Sequence, residues 1–168
     1  MKRHDRKSHL ATMLWAALVL LASCAIPATS HAYRWSGAGG KLGYTSPEDL
    51  SGTVMVGGQV EFENHSRVHL MPNLSYWKVD RVSDLNPNLD VYYHFKAESE
   101  TSPYLGGGLG LDHRSSEITD GSTTGLNANV IGGLRIPGGS NHYFVEGRLT
   151  AGDNSRVALA GGITFHTH

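Results

Sequence analysis

From residue 53 to residue 166, apolar side chains keep returning at every second position. In "TVMVGGQVEFE", Val54, Val56, Gly58, Val60 and Phe62 alternate with Thr53, Met55, Gly57, Gln59 and Glu61. "NLDVYYHFKAE", "LNANVIGGLRI", "YFVEGRLT" and "RVALAGGITF" repeat the pattern. A period of two is the signature of a strand with unlike faces, and no stretch after residue 32 keeps a helical period over three turns. Turn-forming clusters divide the chain into eight segments, at 34–45, 53–63, 67–79, 88–97, 103–113, 125–136, 142–151 and 155–166. Segments of about ten residues suit strands that cross a bilayer at a tilt, whereas ordinary globular strands run to about five or six. The first segment alternates poorly and the third carries Pro72. The connections "SPEDLSG", "DRVSDLNPN" and "SSEITDGSTT" read as the longer ones, and "ENHSR", "ESETS", "PGGSN" and "GDNS" as the shorter.

An all-β meander of eight long strands removes its exposed edges by closing. A closed barrel can put its apolar face inward, around a ligand, or outward, against lipid. The polar face favours the second arrangement. It carries Glu61, Asp90, His94, Lys96, Asp112, Arg114, Arg135, Glu146 and Arg148, charges of both signs set among glycines and small polar residues. A narrow lumen wants small residues and charges that pair with one another, since an isolated charge there is costly. The apolar face is mostly Val, Leu, Ala and Gly, with Tyr44, Phe62, Tyr76, Phe95, Tyr143 and Phe165 near strand ends, where membrane barrels carry aromatic girdles. Glycine normally weakens a strand, yet "PYLGGGLGLD" holds four. Gly106, Gly108 and Gly110 are expected to face the lumen and leave room for side chains from across it, with Gly107 on the outer face.

The first 32 residues read as a cleavable export signal: Lys2, Arg3, Arg6 and Lys7, then an apolar run, then "SHA" ending at Ala32. "LASC" offers a rival, a lipobox at Cys24. The expected mature domain, 33–168, has no cysteine, hence no disulfide. Four of the fourteen Lys and Arg and one of the fifteen Asp and Glu precede it, leaving a balance of −4. That acidic balance, with no basic stripe, argues against nucleic-acid binding.

"PYLGGGLGLD", "NVIGGLRIPG", "YFVEGRLT" and the final "ALAGGITF" together resemble the small OmpA/OmpX-like outer-membrane barrels. The resemblance covers about residues 33–168 and lies in pattern. It implies an eight-stranded antiparallel up-and-down transmembrane β-barrel of a Gram-negative envelope, delivered by the outer-membrane assembly machinery and monomeric. It also implies that Glu146 and Arg148 join a lumen salt-bridge network that plugs the barrel. The chain departs from the family by ending "FHTH" instead of on an aromatic residue.

Reactive chemistry is sparse. His166 and His168 share a side of the last strand, but a metal site needs three or four converging ligands, so they read as a polar strand end; His94 reads as part of the lumen network. His65 and Ser66 are adjacent in a turn, and neighbours on a strand face opposite sides, so they make no nucleophile–base pair. "GGGLG" lacks the Lys-Ser/Thr of a phosphate loop, and the "ENHS" sequon (Asn64, Ser66) is incidental in a bacterial envelope. No cofactor is expected. The polar connections could meet a surface partner. The reading is a non-catalytic outer-membrane barrel acting as an anchor, an adhesin-like protein or a weak pore. A periplasmic lipocalin-like carrier of an apolar ligand is the alternative, and an outer-membrane lipid-modifying enzyme the third reading.

Overall fold

The computed structural model describes residues 33–64, 67–97, 99–116 and 121–166. The expected signal segment, Cys24, His65, Ser66 and His168 lie outside the described residues. Eight antiparallel strands follow one another around a closed barrel: β1 (Arg34–Pro47), β2 (Thr53–Glu63), β3 (Val68–Val79), β4 (Val82–His94), β5 (Ser102–Ser116), β6 (Gly121–Gly138), β7 (Asn141–Gly152) and β8 (Arg156–His166). The seam is β1 on β8, from Gly37↔His166 to Pro47↔Arg156. An even number of up-and-down strands brings both ends of the barrel sequence to one rim, the terminal rim. The β1–β2, β3–β4, β5–β6 and β7–β8 connections sit at the far rim.

A single closed layer has one inside, so the alternation of burial along each strand assigns every side chain to lumen or exterior. The apolar phase points out: Leu42, Leu105, Leu126, Val130 and Leu159 are all more than half exposed. The polar phase points in and is buried. This is the arrangement of a membrane barrel, with apolar groups against hydrocarbon and backbone groups satisfied around the ring. Aromatics collect on the outer wall at the terminal rim, where Trp35, Tyr93, Phe95, Tyr143 and Phe165 are exposed and Phe62 packs edge-on against Trp35. Tyr44 and Tyr76 mark the far rim.

Two sequence expectations change. β4 starts at Val82, not at 88, so "DRVSDLNPN" is mostly strand and the β3–β4 connection is the pair Asp80–Arg81, both at positive φ. Asp84, Asn86, Asn88 and Asp90 are turn-forming residue types, yet here they are the inward row of one strand, alternating with outward Leu85, Pro87, Leu89 and Val91. Likewise β5 runs on to Ser116 and β6 begins at Gly121, so most of "SSEITDGSTT" is strand. The division into long and short connections does not survive. Pro72 and Pro87 are both tolerated inside strands. The β3–β4 ladder is continuous past both, while the ladder lapses on the β2 side near Pro72 and on the β5 side of Pro87. A residue without an N–H costs least where the ladder is already interrupted. In β1 a bulge leaves Ser36 outside the register, which accounts for the poor alternation there.

The glycine-rich strand makes room for its neighbour. Gly106, Gly108 and Gly110 pair with Tyr92, Asp90 and Asn88 of β4. A Cβ on Gly106 would come within 2.9 Å of the Tyr92 ring, and one on Gly108 or Gly110 would overlap Asp90 or Asn88. The space serves side chains of the adjacent strand, not ones from across the lumen.

Candidate functional site: the barrel lumen

The lumen is filled in three tiers. At the far rim, Arg156 of β8 donates to Asp112 of β5 at 2.6 Å and also to Asn86. Asn86 in turn donates to Asp112 at 2.8 Å. Arg114 lies 3.6 Å from Asp84 and 5.4 Å over the ring of Trp77. Trp77 packs with Met55, Ala158 and Ala160, an apolar cluster inside the barrel.

The middle tier is a chain of charges. Lys41 of β1 donates to Glu146 of β7 at 3.1 Å. Arg148 donates to Asp90 of β4 at 2.8 Å and lies 3.5 Å from Glu146. Asn73 donates to Asp90 at 2.7 Å, and the hydroxyls of Tyr92 and Tyr104 donate to Glu146 at 3.4 Å. All four charged residues are buried. Charges taken out of water need partners and further hydrogen bonds, and the neighbouring amides and phenols provide them.

The tier at the terminal rim centres on Glu61 of β2. Its Oε1 lies 2.5 Å from His69 Nδ1 and its Oε2 3.4 Å from His142 Nε2. A small cavity opens here between Gln59, Glu61, His94, Arg135, His142 and Thr164. Arg135 and His94 are both buried at its wall.

Of the residues named from sequence, Glu61, Asp90, His94, Asp112, Arg135, Glu146 and Arg148 are buried inside, and Arg114 is partly buried at the far mouth. The expectation for Lys96 is overturned. β4 ends at His94, so the alternation stops before Lys96, which is exposed and pairs with Glu100 at 3.7 Å. Sequence reasoning missed Lys41, Asp84 and Arg156. Lys41 sits in the bulged strand and Asp84 in the segment taken for a loop. Arg156 was within reach, because it precedes outward-facing Val157 and so has inward parity.

No protein-family model matches the sequence, and no curated protein matches it. Solved structures do match the fold. The neisserial surface protein NspA is 13% identical, covering 79% of this chain and 96% of its own, with a TM-score of 0.65. The N-terminal barrel of Pseudomonas aeruginosa OprF is 18% identical, with 78% and 97% covered and a TM-score of 0.61. Ail, the attachment invasion locus protein of Yersinia pestis, is 11% identical, with 82% and 100% covered and a TM-score of 0.54. At such identities the likeness is one of fold: the chain has the architecture of the small eight-stranded outer-membrane barrels.

Proposed function

We propose that the protein is a non-catalytic outer-membrane barrel, anchored by its outward apolar wall, whose lumen is closed to ions. The observation that supports a closed lumen is the buried chain Lys41–Glu146–Arg148–Asp90, which joins β1, β7 and β4 through the middle of the barrel. The outer wall supports the bilayer as its partner, and delivery by the outer-membrane assembly machinery follows from that location. A surface role is the reading to take from neighbours named as a surface protein and an attachment protein. In this chain such a role would use the rims, because the connections are short.

Two measurements test this. The detergent-extracted protein should pellet with outer membranes and run faster on a gel unboiled than boiled; recovery from the soluble periplasm with no mobility difference would overturn the membrane reading and turn attention to a bound apolar ligand. In planar lipid bilayers it should give no stable conductance steps. Regular steps would show that the charge chain leaves a path.

A further inference from the structure

We propose that the terminal mouth of the barrel holds a divalent transition-metal ion of the zinc class, ligated by Glu61 Oε2, His142 Nε2 and His166 Nε2. The three residues come from β2, β7 and β8, and each has a donor atom within 4.8 Å of one from each of the others. A tetrahedral ion with bonds of about 2.0–2.1 Å has ligand–ligand edges of about 3.3 Å. His142 Nε2 stands 3.4 Å from Glu61 Oε2 and 3.2 Å from His166 Nε2.

Hydrogen-bond accounting shows what the gap lacks. His166 Nδ1 lies 2.9 Å from the carbonyl oxygen of Ser36, the bulged residue of β1. A carbonyl only accepts, so Nδ1 carries the proton and His166 Nε2 presents a lone pair. That lone pair faces His142 Nδ1 at 2.7 Å. A neutral His142 has one N–H. On Nδ1 it serves His166 and leaves Nε2 bare against the carboxylate; on Nε2 it serves Glu61 and sets two imidazole lone pairs face to face. A cation seated between Glu61, His142 and His166 takes up the carboxylate and both Nε2 lone pairs, with a small turn of the His142 ring that carries its Nδ1–H off His166 Nε2.

The surroundings are those of a metal site. The Ser36 carbonyl fixes the His166 tautomer, and His69, at 2.5 Å, holds the other carboxylate oxygen and orients Oε2. The His69–Glu61 contact is a hydrogen bond, too short for two ligands of one ion, so His69 is a positioning residue. His94 lies tilted against His69 with ring centroids 4.4 Å apart; it is only 5% exposed, and its Nδ1 has no hydrogen-bond partner among the described residues. It borders the small cavity that Glu61 and His142 also line. Two imidazoles and one carboxylate suit zinc, copper or nickel better than calcium or magnesium, which seek oxygen.

The test uses untagged protein in detergent, stripped with chelator and titrated with Zn²⁺, with bound metal counted after gel filtration. One ion per chain is expected. His142→Gln and His166→Gln should each weaken binding at least tenfold, and His69→Gln by about 10–100-fold. His113→Gln should bind as wild type, because His113 lies at the far rim bonded to Thr124. Co²⁺ added to the wild-type protein gives a second readout, independent of whether the variants fold: intense visible bands of a tetrahedral site. Substoichiometric zinc in the wild type, wild-type affinity in His142→Gln and His166→Gln, or a Co²⁺ spectrum no different from the free ion would each overturn the proposal.

Discussion

Arg148 serves two carboxylates, Asp90 at 2.8 Å and Glu146 at 3.5 Å, where all three side chains are nearly inaccessible to water. Truncating it strands a buried negative charge. Arg148→Ala should therefore cost about 3–5 kcal/mol, the usual penalty for breaking a buried pair from one side, read from reversible unfolding in detergent. Glu146→Gln should cost a comparable amount, because it leaves buried Lys41 without its carboxylate even though the amide oxygen can still accept from Tyr92 and Tyr104. The glycines differ from one another. A methyl group on Gly108 would run into Asp90 and the backbone carbonyl of Leu89, whereas one on outward-facing Gly40 meets nothing closer than 3.7 Å. Gly108→Ala should reduce the fraction that migrates fast unboiled, and Gly40→Ala should leave it unchanged.

The β3–β4 turn offers a test at the scale of elements. Asp80 and Arg81 stand at φ 48° and 67°, the two left-handed positions that a two-residue hairpin of this kind demands. Aspartate is at home there; arginine pays the steric cost of its Cβ. Arg81→Gly should gain about 1 kcal/mol and Arg81→Val should lose a comparable amount, seen as opposite shifts of the unfolding midpoint. The same hairpin shows where sequence reading reached its limit. Strands with apolar outward residues and small inward ones declared themselves by alternation, and β2, β7 and β8 fall within a residue or two of their expected bounds. β4 hid, because its inward row is Asp84, Asn86, Asn88 and Asp90, and such side chains look like a turn until a closed ring gives them an interior to face. Glu146 and Arg148 of the middle tier were legible because they sit between plainly apolar residues, whereas Lys41, in the poorly alternating first strand, was not. The terminal-rim cluster was not. Glu61, His69, His142 and His166 are scattered over four strands, and only the register of the closed barrel brings them together.

At the scale of the whole molecule, three of the lumen pairs join strands that are not neighbours in the sheet. Lys41 and Glu146 are 105 residues apart, Asp90 and Arg148 58, and Asp112 and Arg156 44. No single hairpin can form any of them. An open sheet carries these six charges unmatched on one face, and only the meeting of β1 with β8 brings Lys41 within reach of Glu146. A seam closed one residue out of step would turn every side chain of β1 to the wrong side. A slip of two would carry Lys41 roughly 7 Å from its partner, at about 3.3 Å per residue. Only a ring closed in register can make these pairs. Lys41→Glu alone should lower the yield of closed barrel on refolding, and the reciprocal exchange with Glu146→Lys should restore it. The charges that fill the barrel would then serve first to decide which ring is allowed to shut.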